Sequence, residues 1–463
     1  MKRRMLLVLL LSALWLLAAA HAEERPGFYQ PGEYAQEDYD DEASRWCFAR
    51  SAESEHFFVF WEAGFGADPA QAAGDMRVDV DDLLKKAERF YRTNVEALGM
   101  ADGLPGGRRI QIYLLYTDEW VATGSGFDNQ IGAMWVSPMT CRPVGSVIAH
   151  EMGHCFQYLV YCRQLEDGAA DESRSGFRYG YAENAGNALW EIGAQWQSWQ
   201  DYPEERFTDY EMETWFANYH RALENEYTRY QNYWWFDFLT ERYGTKAYGR
   251  IWRESEWPED AYSCFMRLYL NDDLDAFYEA LYDYAARAVT FDFAAAREYA
   301  DAWQGRYDST LYPADGWQRV AYADCPEANG FAAVRLDASA ARVRVAFRGL
   351  QPGSALAEDD PGQYFVGDEV VQENRTGETR TYNAMDGAPG WRYGFAALLE
   401  SGERVYGEMH AEPEGDASFE IPDGAREVYF VVLGAPEKYV CHVWDNDEST
   451  DAQLPFEIRV EYE

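Results

Sequence analysis

Two histidines four residues apart, with a glutamate directly after the first, are the residues of this sequence best placed to do chemistry. They are His150, Glu151 and His154 in the stretch VIAHEMGHCFQY, residues 147–158. On a helix, residues i and i+4 share one face, so two imidazoles at this spacing can bind one divalent ion. Zinc in such a site takes three protein ligands and a water molecule, and the glutamate acts on that water as a general base. The pattern predicts zinc-assisted hydrolysis; the alternative is a helix with two buried structural histidines.

The third metal ligand is not part of this motif. A pattern with glycine three residues and histidine six residues after His154 is excluded, since Gln157 and Val160 occupy those positions. A glutamate from a downstream segment is then expected. The candidates are Glu166, Glu172, Glu183 and Glu191.

Helical context favours one of these glutamates. Glu166 and Glu172 fall in LEDGAADESRSG, a loop-like stretch that is poorly suited to hold a ligand rigidly. Glu191 is central in a helix predicted over 181–199, and Gly193 and Ala194 follow it. Small residues there would let this helix pack closely against Gly153 of the motif helix. We predict Glu191 as the third ligand, with Glu183 as the alternative.

Hydrolysis of an amide also requires a group that stabilises the oxyanion formed from the attacked carbonyl. Tyr230 and His220 are the nearest candidates after Glu191, each on a predicted helix. We take Tyr230 as the prediction. The alternative for both residues is ordinary packing within the helical region.

The motif HEMGH, followed 37 residues after its second histidine by WEIGAQW, resembles the gluzincin class of zinc metallopeptidases. The resemblance implies zinc held by His150, His154 and Glu191, with Glu151 as general base. It also implies an edge strand, matched here to Gly132–Val136, that pairs with substrate backbone. SEHFFVFW and the C-terminal segment resemble secreted, largely uncharacterised proteins that combine this core with a β-rich tail. The chain departs from thermolysin-like members, because the N-E-x-x-S-D context is absent and Cys155 directly follows the second ligand.

Hydrophobic periodicity supplies the elements that must position these residues. Strands are predicted at 56–61, 108–117 and 132–136, with a helix over 78–98 between the first two. Helical, aromatic-rich segments continue from 181 to about 303, and 330–463 has short alternating runs separated by turns. The expected class is α+β: a zincin-like core with a small sheet and active-site helices, a helical subdomain, and a C-terminal β-sandwich.

The N-terminus has the pattern of a secretory signal peptide. Three basic residues precede an apolar run, and Ala20-His21-Ala22 fits a cleavage site. The predicted domains are a signal peptide at 1–22, an acidic flexible lead-in at 23–45, a metallopeptidase domain at 46–320, and a β-sandwich at 321–463. We therefore expect a secreted or periplasmic protein that has no membrane segment once the signal peptide is cleaved.

Charge and cysteine content limit the partners. A formal net charge of −41 disfavours nucleic acid, whose phosphates would be repelled. Seven cysteines leave at least one thiol unpaired within the chain. Asn374-Arg375-Thr376 fits a glycosylation sequon, and the acidic run Trp444–Glu448 is either a calcium loop or a simple turn.

The expected substrate is a protein or glycoprotein. Two other readings of the sequence stay open: a non-catalytic secreted protein whose β-rich tail binds glycans, and a hydrolase that cleaves another kind of bond.

Overall fold

A computed structural model of the 463-residue chain describes residues 25–168, 177, 185–366, 369–373, 380–442 and 450–463. The fold is of the α+β class, as expected, with a β-rich C-terminal region. The described ranges contain eight α-helices: α1 Val80–Tyr91, α2 Ser146–Glu166, α3 Ala185–Trp199, α4 Asp209–Asn218, α5 Trp234–Tyr243, α6 Ala247–Glu254, α7 Ala261–Leu270 and α8 Leu274–Ala288. None of the described helices is both long and apolar enough to cross a membrane.

The N-terminal sheet has five strands in the order β1-β2-β3-β5-β4. Strands β2, β3 and β5 run parallel to one another. The edge strands are antiparallel to their partners, β1 to β2 and β4 to β5. The strands are β1 Ser51–Glu53, β2 Phe57–Trp61, β3 Ile110–Leu114, β4 Ala122–Phe127 and β5 Ile131–Val136. The three predicted strands are present as β2, β3 and β5, and β1 and β4 are additional.

Both faces of this sheet are covered, which explains why β2 and β3 are buried at every residue. Phe57 and Val59 point to the side of α1 and α2. Phe58 and Phe60 point to the other side, where Tyr39 and the other aromatic residues of the N-terminal segment cover them. Residues 25–45 are therefore packed against the sheet. This differs from the flexible lead-in expected from their acidic composition, because their aromatic side chains have an apolar face to cover.

Two further sheets pack face to face in the C-terminal region. The strands are β6 Leu311–Ala314, β7 Trp317–Val320, β8 Phe331–Leu336, β9 Arg342–Gly349, β10 Gln363–Val366, β11 Glu369–Glu373, β12 Trp391–Leu399, β13 Arg404–Tyr406, β14 Glu414–Glu420, β15 Ala425–Gly434 and β16 Phe456–Tyr462. One sheet has the order β13-β12-β15-β8 and the other β14-β9-β16-β7-β6, while β10 and β11 form a separate hairpin. Strands β6 and β7 precede the domain boundary predicted at 320/321 and lie within this β region.

The four-stranded sheet is buried on both faces. One face meets the other sheet, where the Phe347 ring stacks on Tyr393 at 4.0 Å. The opposite face supplies Phe331, Tyr429 and Val431 to the same core as the helical region. Helices α4 to α8 therefore lie between the N-terminal sheet and the β region, and the core is continuous across both.

Candidate metal centre

Helix α2 carries His150, Glu151 and His154 through the middle of the molecule, and most of its residues are buried on all sides. Gly153 allows the close approach of α3. A Cβ at Gly153 would lie 3.0 Å from the Cα of Ala194, so the backbones of the two helices are nearly in contact. This is the approach that the small residues after Glu191 predicted. It brings Glu191, three residues before Ala194, opposite the two histidines.

Three ligand atoms converge at this helix crossing. Nε2 of His150 lies 3.1 Å from Nε2 of His154, and Oε2 of Glu191 lies 3.2 Å from the first nitrogen and 3.4 Å from the second. A tetrahedral zinc ion with bonds of 2.0–2.1 Å holds its ligand atoms about 3.3 Å apart. The donor types and their spacing therefore fit a zinc ion, with one coordination position left for water or substrate.

Two glutamines fix the orientation of the imidazoles. Nδ1 of His154 lies 2.9 Å from Oε1 of Gln157, and Nδ1 of His150 lies 2.8 Å from Oε1 of Gln195. The amide nitrogen of Gln157 donates to the backbone carbonyl of Trp190, which can only accept. The oxygen end must then face His154, whose Nδ1 carries the proton. This leaves Nε2 with a free lone pair, as a metal ligand requires.

A buried polar network supports Gln157. Its nitrogen also donates to Gln197, which in turn is hydrogen-bonded to Tyr248 and to Asn94, in the helical turn that follows α1. A Cβ at Gly193 would lie 2.6 Å from the Tyr248 hydroxyl and 3.0 Å from Gln157 Nε2. Gly193 therefore leaves room for this network, whereas Ala194 makes the contact with the motif helix.

The charges at the centre are strongly coupled. Burial acts to raise the pKa of Glu191, but hydrogen bonds and charges from His150 and His154 outweigh it and hold the pKa well below its usual value. Burial acts to lower the pKa of His154, yet the hydrogen bond and charge of Glu191 leave it raised. An anionic oxygen thus faces two imidazoles, an arrangement that attracts a cation.

A cavity of about 680 Å³ opens beside the three ligands, and a smaller one of about 350 Å³ lies on the other side. The residues that line both are Trp120, His150, Glu151 and Tyr230. Strand β4 contributes residues 122–125 to the larger cavity, and a Cβ at Gly124 would lie 2.0 Å from the carbonyl oxygen of Glu151. The edge strand therefore runs directly along the motif helix.

The edge strand beside the site is not the one expected. Residues 132–136 fall within β5, which lies between β3 and β4 and is paired on both sides. The edge position belongs to Ala122–Phe127, whose sequence ATGSGF has weak strand propensity because of its glycines and serine. The sequence pattern missed this strand for that reason.

Comparison with known proteins places the chain in a family. The sequence model described as a family of unknown function (DUF6055) matches residues 20–462. The chain belongs to the DUF6055 family. No curated protein sequence matches it.

One solved structure is similar to this DUF6055 chain: the crystal structure of a functionally unknown conserved protein mutant from Bacillus anthracis str. Ames. The two share 11% identity with a TM-score of 0.29, over 54% of this chain and 48% of the other. The DUF6055 chain thus spans about half the length of that protein.

Glu166 is the one other candidate ligand of the DUF6055 chain that falls within the described residues. Glu166 is the last residue of α2 rather than part of a loop; it is exposed and ion-paired with Arg163 at 2.9 Å. Glu172 and Glu183 fall outside the described residues, as do the sequon at 374–376 and the acidic run at 444–448.

The two oxyanion candidates differ in position. Tyr230 lies in a turn before α5 rather than on a helix, with its ring centroid 5.9 Å from that of His150. His220 also lies in a turn and is 3% exposed. It is not among the described residues that line the two cavities. Its carbonyl instead accepts the N–H of Glu327 from the β region.

The thiol next to the second ligand is inert in its surroundings. Cys155 is fully buried, its Sγ lies 3.3 Å from the carbonyl oxygen of Ala133, and burial raises its pKa well above the usual value. Its side chain points to β5, away from the cavities. A buried neutral thiol of this kind serves packing rather than metal ligation.

Proposed function

We propose that this DUF6055 protein is a zinc-dependent metallopeptidase that hydrolyses peptide bonds in proteins or glycoproteins. The observation that carries the proposal is the convergence of His150 Nε2, His154 Nε2 and Glu191 Oε2 at tetrahedral spacing beside a cavity. The signal-peptide prediction for residues 1–22 adds a secreted or periplasmic location to the proposal. The gluzincin resemblance of the sequence supports the same ligand set.

The edge strand favours an extended peptide as substrate. Strand β4 has one strand partner among the described residues, β5, and its other edge borders the larger cavity. An extended peptide can add to such an edge through main-chain hydrogen bonds. Because Gly124 brings the strand against Glu151, a peptide paired there would pass directly beside the general base.

A bound zinc ion would supply Lewis acidity, polarising a substrate carbonyl and lowering the pKa of a water molecule. The glutamate and the tyrosine of the site perform the remaining steps. The carboxylate of Glu151, 8% exposed and lining both cavities, accepts a proton from the attacking water and delivers it to the leaving amine.

In this proposal Tyr230 donates a hydrogen bond to the oxyanion, and its place in the lining of both cavities beside His150 supports that role. Burial and the charge of Glu191 raise the pKa of its phenol, so the hydroxyl keeps its proton at neutral pH. A neutral hydroxyl aimed at the developing charge stabilises the transition state more than the ground state.

The decisive experiment combines metal analysis with digestion of a broad peptide library. Glu151→Gln should retain zinc and lose at least about 10²-fold in kcat, because the proton acceptor is removed while the ligands stay. Glu166→Gln, an exposed glutamate on the same helix, is the matched control and should cleave normally. A chain without stoichiometric zinc, or equal cleavage by Glu151→Gln, would overturn the proposal.

A further inference from the structure

A second group of metal-ligating side chains lies between the helical region and the β region. Glu224 follows α4, Asp260 precedes α7, and Cys441 follows β15. One ligand atom of each, the two carboxylate oxygens and the cysteine sulfur, lies within 4.8 Å of the others. Glu224 and Asp260 are only 4% and 6% exposed, whereas Cys441 is exposed.

The two carboxylates differ in how they are satisfied. Oδ1 of Asp260 caps α7 by accepting the N–H of Ser263 at 2.7 Å, and the Tyr439 hydroxyl donates to Oδ2. Glu224 accepts one N–H, from Ala261, at Oε1. Its Oε2 is buried and has no donor among the described residues. A buried anionic oxygen left in this state is costly unless a cation or a proton accompanies it.

Asn329 provides an independent observation at the same place. Its side chain is buried, with 5% exposure of the residue, and its Nδ2 donates to the Val440 carbonyl at 2.8 Å. Since that carbonyl can only accept, the orientation of the amide is fixed. Its Oδ1 is therefore a true acceptor, and it too is buried without a donor in the described chain.

A small cavity joins these groups. It measures about 10 Å³ and is lined by Glu224, Asp260 and Asn329, among others. This is space for a single small sphere. Both carboxylate residues and the asparagine therefore line one void, and the sulfur of Cys441 lies within 4.8 Å of a carboxylate oxygen of Glu224 and of Asp260.

The histidine that lines this cavity is already paired with other acids. His442 lines the same cavity, but its Nε2 lies 2.8 Å from Glu226 and its Nδ1 lies 3.2 Å from Asp451. His442 therefore does not supply the missing partner of Glu224 Oε2, which has no donor among the described residues.

We propose that Glu224, Asp260, Asn329 and Cys441 bind one structural divalent cation, distinct from the His150 centre. Two carboxylates neutralise a divalent charge, and the amide oxygen supplies a further ligand. The thiol and the small cavity favour zinc, since calcium takes six to eight oxygen ligands and needs more room. Because the ligands come from both regions, the ion joins α7 and the segment after α4 to the β region.

The test counts bound metal in a full-length chain that lacks the first site. A His150→Ala, His154→Ala double variant, dialysed against zinc and separately against calcium, should retain about one equivalent of zinc. Adding Glu224→Gln should abolish that equivalent. Adding Glu437→Gln, a matched change at an exposed glutamate of the β region, should not. Wild-type protein should bind one equivalent more than the double variant, so failure of either site is distinguishable from failure of the other.

Thermal unfolding gives a second measurement. Zinc should raise the unfolding midpoint of the double variant, because an ion that binds only the folded state stabilises it. The midpoint of the double variant that also carries Glu224→Gln should not change with zinc. Should Glu224→Gln fail to fold, Cys441→Ser at an exposed position should weaken zinc binding at least about tenfold. If neither zinc nor calcium binds in a manner that depends on these residues, the cavity holds a proton or a water molecule and the proposal is wrong.

Discussion

Gln157 accepts a hydrogen bond from Nδ1 of His154 at 2.9 Å, while its own nitrogen donates to the carbonyl of Trp190. The side chain therefore links the second proposed ligand on α2 to the backbone of α3, one residue before Glu191. The position of one ligand and the position of the other depend on the same amide. Groups that orient metal-bound histidines in this way commonly contribute 10- to 100-fold to metal affinity.

Gln157→Met should accordingly weaken zinc binding by about 10- to 100-fold, because Nδ1 of His154 loses its acceptor. Competition with a chelator of known affinity measures the change. Gln164→Met is the matched control: Gln164 is also a buried glutamine of α2, and its nitrogen donates to the carbonyl of Arg253, away from the site. Both variants lose a buried amide and should lose similar stability. Equal zinc affinity in the two would contradict the positioning role.

Much of the candidate site could be predicted from sequence because its determinants are local. The spacing of His150, Glu151 and His154 needs only helical periodicity. Glu191 could be chosen because the small residues after it predicted a close helix contact, and the structure brings Gly153 and Ala194 together. Convergence of the three ligand atoms follows from that contact.

The parts that could not be predicted depend on tertiary contacts. Gln157 lies three residues after His154, and Gln195 lies four residues after Glu191. At these spacings each glutamine shares a helix face with the earlier residue. Many glutamines have such spacing, so it does not single them out without the fold. Strand β4 was missed because the glycines and serine of ATGSGF give weak strand propensity, and its contact with the backbone of Glu151 depends on the fold.

Gly124→Ala should reduce both stability and activity. The added Cβ would lie 2.0 Å from the carbonyl oxygen of Glu151, so the edge strand or the helix has to move. We expect a loss of about 1–3 kcal/mol in the free energy of unfolding and a fall in kcat/KM for peptides. Gly145→Ala, just before the same helix, is the control, since its Cβ would meet nothing closer than 3.8 Å. Normal peptide cleavage by Gly124→Ala would argue against pairing of substrate with β4.

Tyr230→Phe should lower kcat by roughly 10²-fold with little change in KM, since it removes one donor to the oxyanion and keeps the aromatic ring. Steady-state kinetics on one cleaved peptide gives both constants, and zinc content should be unchanged. Tyr202→Phe, a half-buried tyrosine near the N-terminal end of α2, is a control for loss of a phenol away from the centre. A rise in KM alone would assign Tyr230 to substrate binding instead.

Glu211 should make stability depend on pH. It lies on α4, lines the smaller cavity, and accepts a hydrogen bond from Gln231 at 2.8 Å. Burial raises the pKa of its carboxyl group from 4.5 to about 7, despite that hydrogen bond. Between these values the unfolded chain has released the proton while the folded chain still holds it. The free energy of unfolding therefore falls as pH rises from about 4.5 to about 7, and this contribution is constant above that range.

Glu211→Gln should remove that fall, because the amide keeps the bond to Gln231 and does not titrate. The difference between wild type and variant, measured by urea unfolding at pH 4.5, 6 and 8, should grow in favour of the variant. Its upper limit is about 3 kcal/mol, reduced by partial exposure to solvent. Glu213→Gln, at an exposed carboxylate of α4 paired with Arg306, should follow the wild-type curve. A constant difference across the range would mean that Glu211 ionises at its ordinary pH, and that the smaller cavity is already anionic in mild acid.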